Sequence, residues 1–469
     1  MNNSKSTFAL LFGNRGFFPA HYMESARREL AATLQNLGHE VLMMSTDRTR
    51  LGAVETPAEG RAFGDFFRDN RRRIDGVILS LPNFGDENGA LEALRDVDVP
   101  ILIQAYPDDL DKLNPDQRRD AFCGKLSIMD VLTQAGIRFT NLIPHTVHPE
   151  SEEFARNVRD FDRTCRVTRG LRRLAVGAIG ARTTPFKTVR ADEIALQRHG
   201  ITVETTDLAS VFARMEAVDA STEPYTSIQE ELRELSNWER APVQARDNLT
   251  RLKVVLTELA REMSLDTMAL RCWTELQERF GISPCLVTGN LADLGTPVAC
   301  EVDVANAVVM YALGCASGAA TSILDWNNNF GTSSNRCILF HCGNVPRSLM
   351  MEKGTVDDHA ILANALGPGR GFGCNQGRIR EMEFTYSSMI TKDGRLQFYL
   401  GTGRITDDTI PAGFFGCAGV AEIQGLQEVL QWLGRNGHRH HVSITPGNHV
   451  EPMREAFENY LGYDVKVFE

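Results

Sequence analysis

The fold is indicated first by residues 8–44, which read FALLFGNRGFFPAHYMESARRELAATLQNLGHEVLMM. The stretch opens on an apolar run, and a glycine-containing loop follows at 13–19. Leucines then recur at helical spacing, so we expect a helix over about 20–37. Gly38 ends that helix, and the apolar run 41–44 predicts a second buried strand. This strand–helix–strand order is typical of an α/β protein.

The same alternation continues beyond this stretch. Apolar runs at 76–81 and 100–104 predict two further strands. Near-continuous apolar strands separated by helices indicate a parallel sheet that is covered on both faces. A new cycle starts with the run 174–180 and continues with a predicted helix at 190–197. The sequence therefore predicts two α/β units, joined by a charged bridging stretch at 149–173.

The C-terminal part of the chain has a different pattern. From Gly371 onward, short apolar segments are separated by Gly, Asn and Asp. This pattern is typical of antiparallel β structure and indicates a small barrel or sandwich. The expected domains are an α/β domain at 1–168, a second α/β domain at 169–340 and a β-barrel-like domain at 341–469.

The composition is that of a globular protein with an acidic surplus. The chain has 469 residues, of which 42% are hydrophobic and 24% charged, and its formal net charge is −11. Because proteins that bind nucleic acid need surplus Lys and Arg, nucleic acid is disfavoured as the main partner. No apolar stretch approaches the roughly 18 residues of a membrane span, and the run near the N-terminus is too short for a signal peptide. The ten cysteines occur without a CxxC pair, so we expect a cytoplasmic protein with reduced thiols.

Two glycine-containing loops follow predicted strands, Gly13-Asn14-Arg15-Gly16 and Gly177-Ala178-Ile179-Gly180. Neither fits G-x-G-x-x-G, and the chain contains no G-x-x-x-x-G-K-[ST], so we expect no nucleotide cofactor. Loops at the carboxyl ends of parallel strands are nevertheless where ligands bind in such sheets. Arg15, Arg182 and Lys187 are therefore candidate anchors for polar or anionic groups.

The densest set of chemically active side chains lies in the second half of the chain. Glu301 and Asp303 are two residues apart, so on a strand their carboxylates would point to the same side. Asp325 precedes three asparagines, His341 ends an apolar run, and the doublet His440-His441 precedes another. Polar groups at the ends of buried strands need partners. A divalent cation such as Mn²⁺, Mg²⁺, Co²⁺ or Zn²⁺ can pair with several carboxylates and imidazoles at once.

Each of these features also has a purely structural explanation. An aspartate followed by asparagines can form a hydrogen-bonded turn, and adjacent histidines near a terminus are often at the surface. Cys300 and Cys342 are expected to pack in the core as small apolar side chains. The occurrence of all these features in one order along the chain favours a functional site.

In that order, the residues resemble those of the L-fucose isomerase/L-arabinose isomerase family of ketol isomerases. The resemblance rests on Glu301 in Cys300-Glu301-Val302-Asp303, Asp325 in Asp325-Trp326-Asn327-Asn328-Asn329 and a histidine in His440-His441-Val442. Three further segments are similar to the fucose-isomerase-like branch: Gly13-Asn14-Arg15-Gly16-Phe17-Phe18-Pro19, Pro82-Asn83-Phe84-Gly85-Asp86-Glu87 and Leu339-Phe340-His341-Cys342-Gly343-Asn344. The resemblance spans the whole chain, and the Glu–Asp–His trio is its most specific part.

This resemblance implies two Rossmann-like parallel-sheet domains followed by a β-rich domain with a small barrel, assembled as a homotrimer or homohexamer. It implies Mn²⁺ held by Glu301, Asp325 and His441, with the two carboxylates also acting as the catalytic acid/base pair. His440 could replace His441, because the doublet leaves the alignment ambiguous by one residue. His341 is implied to be either a fourth ligand, as in the arabinose enzymes, or a substrate contact.

The resemblance also points to residues that contact the substrate. Arg15 resembles a loop residue that reaches the active site of a neighbouring subunit, and Arg271 stands where relatives usually have glutamine. The candidate substrate-binding residues are Arg15, Lys125, Arg182, Arg271, His341, Asn344 and His440. The chain is shorter than the fucose enzyme itself, so that enzyme's substrate specificity does not transfer.

The implied reaction is the aldose–ketose isomerisation of an open-chain sugar through a cis-enediol. A cation that chelates two substrate oxygens stabilises the enediolate, while two carboxylates move the proton between C1 and C2. An isomerase for a sulfonated or phosphorylated hexose is an alternative, suggested by the basic residues Arg15, Lys125, Arg182, Lys187 and Arg271. A non-catalytic sugar-binding protein is a second alternative, which would need neither a metal nor paired carboxylates.

Overall fold

The structure is a computed structural model that describes residues 5–411 and 413–469, and it divides into two compact units. Of the described residues, the N-terminal unit contains 5–169 together with Glu451–Gly462, and the second unit contains Gly170–Val450 and Tyr463–Glu469. The first four residues of the expected N-terminal domain lie outside the described residues. Within the described ranges, no helix is long and apolar enough to cross a membrane.

The N-terminal unit is built on a four-stranded parallel sheet. Its strands are β1 (Thr7–Phe12), β2 (Glu40–Met43), β3 (Gly76–Leu81) and β4 (Ile101–Ala105). Its helices are α1 (Tyr22–Asn36), α2 (Pro57–Asn70), α3 (Glu87–Leu94), α4 (Ala121–Gln134) and α5 (Glu152–Leu171), with a 3₁₀ turn at Arg50–Gly52. The strand order is β2-β1-β3-β4. Strands β3 and β4 are buried along their whole length, which explains the continuous apolar runs that predicted them.

The charged stretch at 149–173, which was expected to bridge the two α/β units, is mostly the helix α5. The helix carries an apolar stripe at Phe154, Val158, Phe161 and Cys165, and these side chains belong to the buried core beside β1. A spacing of three or four residues between apolar side chains is the helical signal, and abundant charges on the other faces obscured it.

The second unit contains another four-stranded parallel sheet. Its strands are β5 (Leu174–Ile179), β6 (Ile201–Thr206), β7 (Thr267–Leu270) and β8 (Val298–Cys300), in the order β6-β5-β7-β8. The helices are α6 (Glu193–Arg198), α7 (Leu208–Ala217), α8 (Glu223–Leu235), α9 (Val243–Glu262), α10 (Glu275–Phe280), α11 (Cys285–Asp293) and α12 (Val304–Ser317), with 3₁₀ turns at Lys187–Val189 and Trp238–Arg240. Helix α12 is apolar on every face because it is buried along almost its whole length.

The remainder of this unit is a nine-stranded mixed sheet. Its strands are β9 (Ser322–Asn329), β10 (Arg336–His341), β11 (Thr355–Asp357), β12 (Cys374–Arg378), β13 (Met382–Lys392), β14 (Arg395–Ile405), β15 (Cys417–Glu422), β16 (His441–Pro446) and β17 (Asp464–Phe468). Helices α13 (Ala360–Leu366) and α14 (Leu426–Asn436) and a 3₁₀ turn at Arg347–Leu349 lie between them. Helix α15 (Val450–Arg454) continues as a π-type turn, Glu455–Leu461, which belongs to the N-terminal unit.

This mixed sheet closes on itself. The strands pair in the order β15-β10-β9-β16-β13-β14, and β14 pairs again with β15 through Arg404 opposite Glu422 and Ile405 opposite Ala421. Closure removes the free edges from these six strands and makes a small barrel. The expected fold class, two parallel-sheet α/β parts followed by a β-rich part, is confirmed, whereas the expected boundaries at 168/169 and 340/341 stay predictions.

Candidate active site

Glu301 and Asp303 follow the last strand of the second parallel sheet, but they are not on a strand. Strand β8 ends at Cys300, and both Glu301 and Val302 have left-handed backbones, with φ of 58° and 59°. Asp303 then caps α12 by accepting a hydrogen bond from the backbone N–H of Asn306 at 3.1 Å. The expectation that both acids share one face of a strand was therefore wrong. Left-handed backbones at residues other than glycine cost energy and occur often at functional sites.

Three adjacent barrel strands carry the other predicted residues. Asp325 lies within β9, His341 ends β10 and His441 begins β16. His441 stands directly opposite Asp325 in the pairing of β16 with β9. The alternative of a hydrogen-bonded turn at Asp325 was therefore wrong, and so was a surface position for His441, whose side chain is 1% exposed.

The carboxylates and imidazoles converge on the Nε2 atom of His441. This atom lies 3.1 Å from Glu301 Oε2 and 3.6 Å from Asp325 Oδ1. His341 Nε2 lies 3.9 Å from the same oxygen of Glu301, and His440 Nε2 lies 3.7 Å from Asp325 Oδ1. Among the described residues, Asp325 Oδ1 and His341 Nε2 are buried and have no hydrogen-bond partner.

These atoms fit a divalent cation. Two groups have ligand atoms within 4.8 Å of one another, namely Glu301 with His341 and His441, and Asp325 with His440 and His441. His441 belongs to both groups, whereas Glu301 and Asp325 belong to different ones, so the predicted Glu–Asp–His trio is connected only through the imidazole of His441. A buried carboxylate oxygen without a hydrogen-bond partner, such as Asp325 Oδ1, is costly, and a bound cation would remove that cost.

Sequence reasoning noted Asp303 without assigning it a role and missed Arg439, the two side chains behind His441. Asp303 Oδ2 lies 2.8 Å from His441 Nδ1, and the other oxygen of Asp303 accepts a hydrogen bond from Arg439. Asp303 and Arg439 are almost completely buried. A carboxylate on Nδ1 fixes the orientation of the imidazole and leaves a lone pair on Nε2 for a cation. The only sequence signals were an acid at a helix start and an arginine two residues before His441.

The charges of this cluster stabilise one another. Burial alone would raise the pKa of Glu301, but the neighbouring His441 and His341 and the Trp273 indole lower it to about 2. Burial alone would lower the pKa of His441, but its contacts with Asp303 and Glu301 raise it to about 10. At neutral pH Glu301 is therefore an ionised carboxylate and His441 an imidazolium, whose Nε2 proton a bound cation would replace.

Aromatic side chains flank the cluster. The indole Nε1 of Trp273 donates to Glu301 Oε1 at 3.3 Å, which leaves Oε2 as the oxygen that faces His441. The ring of Phe186 lies 5.4 Å from that of His440 and 5.7 Å from that of His441. Phe186 belongs to the loop that follows β5 and reaches the cluster, whereas the expected glycine-containing loop at 177–180 lies mostly within β5, which ends at Ile179.

A cavity of about 330 Å³ opens beside Glu301 and His341. Trp273, His359 and the thiols of four cysteines, Cys272, Cys285, Cys300 and Cys342, line it. All ten cysteines have free thiols, as expected. A hydrogen bond to Cys272 together with burial raises the pKa of Cys300, and burial raises the pKa of Cys342. These thiols are therefore neutral, and Cys300 and Cys342 lie against the cavity as well as in the core.

Three more predicted residues lie in this unit. Arg182 donates to the backbone carbonyl groups of Thr183 and Phe186, and Arg271 forms an ion pair with Glu275. Asn344 is buried after β10, where its Nδ2 contacts Cys300 Sγ at 3.5 Å. Its Oδ1 atom is buried, and no residue in the described part of the chain forms a hydrogen bond with it.

Arg15 and Lys125 belong to the N-terminal unit. Arg15 forms an ion pair with Glu87 at 3.1 Å, and its guanidinium lies 4.1 Å above the centre of the Phe84 ring. Lys125 is 1% exposed, and its Nζ donates to the backbone carbonyl of His145 at 2.8 Å. Burial lowers the pKa of Lys125 to about 8.

The N-terminal and C-terminal parts of the chain both match known protein families. Residues 9–172 match the N-terminal domain of fucose/sulfoquinovose isomerase, and residues 339–469 match the C-terminal domain of L-fucose isomerase. A sulfoquinovose isomerase of Clostridium sp. (strain MSTE9) is 24% identical over 68% of this chain and 70% of that protein. The sulfoquinovose isomerases of Alkalicoccus urumqiensis and Priestia aryabhattai are 22% and 21% identical, over 83% and 88% of this chain and 85% and 90% of those proteins. The two domain matches and these relatives show that the chain belongs to the fucose-isomerase-like family of aldose–ketose isomerases.

Proposed function

We propose that this isomerase depends on a divalent cation held by Glu301, Asp325 and His441, and that it acts on an open-chain sugar through a cis-enediol. The observation that carries the proposal is the approach of two buried carboxylate oxygens, Glu301 Oε2 and Asp325 Oδ1, to the Nε2 atom of His441. They lie 3.1 and 3.6 Å from His441 Nε2. Asp303 supports the proposal because it holds the proton of His441 on Nδ1.

The two carboxylates supply the proton transfer. Isomerisation removes a proton from one of the carbons C1 and C2 and returns one to the other, so the reacting carbons must lie within reach of a basic oxygen. Glu301 and Asp325 approach His441 from different parts of the fold, the loop after β8 and the strand β9. We assign them as the acid/base pair, with Trp273 holding Oε1 of Glu301 in place.

When bound, the cation would supply Lewis acidity to two neighbouring oxygen atoms of the sugar and stabilise the charge of the enediolate. Mn²⁺ is our first choice, because two carboxylates and one imidazole form a mixed oxygen and nitrogen ligand set. The protein needs no redox cofactor for this reaction, since the substrate is oxidised at one carbon and reduced at the next.

A sulfonated hexose is a second candidate substrate. The relatives named sulfoquinovose isomerase support it, and Lys187 supports it as an exposed cation at the end of the loop that carries Phe186. Arg182 and Arg271 already have oxygen partners within the protein, so they support it less. Assaying neutral hexoses beside their 6-sulfonated and 6-phosphorylated analogues separates the candidates.

A homotrimer or homohexamer and a cytoplasmic location also belong to the proposal, and both rest on the resemblance and on the composition. The alternative of a non-catalytic sugar-binding protein has no support from the comparisons, since the matched relatives are named as isomerases. Analytical ultracentrifugation would test the oligomeric state.

The experiment that tests the function is a panel of neutral and 6-anionic aldoses and ketoses, assayed with the protein as isolated, after EDTA treatment and after addition of Mn²⁺. We expect turnover to disappear with EDTA and to return with Mn²⁺. The variant Glu301→Gln keeps the size of the side chain, and we expect it to lose at least about 100-fold in kcat while its circular dichroism spectrum stays unchanged. Full activity in EDTA-treated protein would show that the proposal is wrong.

A further inference from the structure

We propose that His341 binds the sugar and not the cation, and that His359 is a second substrate-binding histidine in the same cavity. Each imidazole would donate a hydrogen bond from Nε2–H to a sugar oxygen. This inference rests on the proposed function, because it divides the histidines around Glu301 between the cation and the sugar.

The first step is to establish which ring nitrogen of His341 carries the proton. Its Nδ1 accepts a hydrogen bond from the backbone N–H of Cys342 at 2.9 Å. An acceptor nitrogen carries a lone pair, so the proton of the neutral imidazole is on Nε2. A nitrogen that carries a proton cannot ligate a metal ion. The backbone of the loop after β10 therefore disfavours His341 as a ligand.

His441 has the opposite arrangement. Its Nδ1 faces the carboxylate of Asp303 at 2.8 Å and must donate to it, which leaves the lone pair of the neutral imidazole on Nε2. The two rings lie 6.0 Å apart, yet their hydrogen-bond partners give them different tautomers. His441 is thus prepared to be a ligand and His341 to be a donor.

The second step concerns the hydrogen-bond acceptor of His341 Nε2–H. Its side chain is 3% exposed, and its Nε2 atom is buried with no hydrogen-bond partner among the described residues. Glu301 Oε2 lies 3.9 Å away, beyond hydrogen-bond distance. A buried N–H without an acceptor is costly, and His341 lines the cavity beside Glu301. A sugar hydroxyl or carbonyl oxygen in that cavity would be the missing acceptor.

His359 repeats the arrangement across the cavity. It precedes α13, and its Nδ1 accepts a hydrogen bond from the backbone N–H of Leu362 at 3.2 Å. The proton of this imidazole is therefore also on Nε2. His359 is 7% exposed and lines the same cavity as His341 and Glu301. Two histidines with the same tautomer thus supply N–H donors to one cavity, whose other walls are mostly cysteines and apolar side chains.

The test separates metal binding from sugar binding. Mn²⁺ affinity is measured without sugar, by the electron paramagnetic resonance signal of free Mn²⁺, for the wild type and for His341→Leu, His359→Leu and His441→Leu. We expect the first two variants to stay within about threefold of the wild type and His441→Leu to lose at least about 100-fold, because only the last removes a ligand. A loss in His341→Leu equal to that in His441→Leu would overturn the proposal.

Sugar binding is measured as KM for the aldose that the wild type converts fastest in the panel of neutral and 6-anionic sugars, at saturating Mn²⁺. We expect KM to rise about tenfold in His341→Leu and in His359→Leu. His341→Gln and His359→Gln restore an N–H donor of similar reach, and we expect them to recover part of the loss. These two variants also keep the test decisive if a leucine variant does not fold. A KM that is unchanged in both His341→Leu and His359→Leu would overturn the substrate-binding role.

His39→Gln is the matched control, because His39 is a buried histidine of the N-terminal unit, hydrogen-bonded to the backbone carbonyl of Ser6. We expect it to leave both Mn²⁺ affinity and KM unchanged. If the wild type itself neither binds Mn²⁺ nor converts any sugar, the proposed function fails together with this inference. If the wild type does both and only His341→Leu loses Mn²⁺ binding, the inference alone fails.

Discussion

Arg439 and Asp303 lie 136 residues apart in the sequence and form an ion pair that is almost completely buried behind His441. The same carboxylate holds Nδ1 of His441 and accepts a hydrogen bond from the side chain of Asn306 at 2.7 Å. The pair thus connects the start of helix α12 to the first residue of the barrel strand β16. Whatever His441 binds, its orientation is set by this ion pair.

Asp303→Asn tests that connection. The substitution keeps the shape of the side chain but leaves the guanidinium of Arg439 buried without its counter-charge. We expect the free energy of unfolding to fall by about 3–5 kcal/mol and Mn²⁺ affinity to fall by about 10–100-fold. Urea denaturation and Mn²⁺ titration measure the two effects. Asp130→Asn, at a surface position of α4, is the control and should change neither. Wild-type stability in Asp303→Asn would contradict a structural role for the pair.

Gly343 gives a second prediction, about the backbone next to His341. Its φ is +137°, and a Cβ atom added there would lie 2.5 Å from the backbone nitrogen of Asn375. We expect Gly343→Ala to lower the free energy of unfolding by about 2 kcal/mol or more, because a strained backbone and a collision with backbone atoms act together. Thermal and urea denaturation would measure the loss.

Gly434 is the matched control for Gly343. It lies in helix α14 without a positive φ, and an added Cβ atom would meet no atom within 4 Å. Alanine is the better helix former, so we expect Gly434→Ala to raise stability by up to about 1 kcal/mol. Equal effects at the two positions would show that the close approach at Gly343 is not the cause.

Strands of the parallel sheets were predictable where burial leaves a long continuous apolar run in the sequence, whereas the short strands β7 and β8 were not predicted and β2, expected to be buried, is partly exposed. The strands β3 and β4 are examples, since both are buried throughout. The sequence pattern could not decide between a barrel and a sandwich. Closure depends on the pairing of β14 with β15 at two residue pairs, and local sequence patterns do not show which distant strands pair. The helix α5 was missed because charged residues cover most of its surface and its apolar residues form only a narrow stripe.

The candidate site was predictable in its residues but not in its geometry. Glu301, Asp325 and His441 were recognised by type and order, and the structure brings them together around one imidazole nitrogen. The left-handed backbone at Glu301 has no sequence signal, so a strand was expected there. The role of Asp303 and Arg439 depends on an ion pair between distant parts of the chain, and a single sequence does not reveal such a contact.

Lys125 gives a prediction about pH. Burial lowers its pKa from 10.5 to about 8, so the unfolded chain binds more protons than the folded chain between these values. Stability therefore rises with pH across that window, and the cost of the buried charge is fully present below pH 8. We expect the free energy of unfolding of the wild type, measured relative to Lys125→Met, to rise by about 3 kcal/mol between pH 7 and about pH 10.5.

Urea denaturation at several pH values measures that difference, because effects of other groups cancel between the wild type and Lys125→Met. Lys353→Met, at an exposed position, is the control and should show no such pH dependence. A difference that is independent of pH would show that the lysine is charged in the folded protein throughout the range.

The last prediction concerns the histidine doublet. His441 is buried, stands opposite Asp325 and has its Nδ1 atom held by Asp303. His440 is 43% exposed, and its ring packs edge-on against Phe186. Because only His441 has a carboxylate that fixes its tautomer, we expect His440→Gln to lower Mn²⁺ affinity by less than about threefold and His441→Gln by at least about 100-fold. Mn²⁺ titration of the two variants side by side shows which histidine is the ligand. A larger loss of Mn²⁺ affinity in His440→Gln would show that His440, and not His441, binds the cation. In that case the second group of the site, Asp325 with His440, would become the cation-binding group.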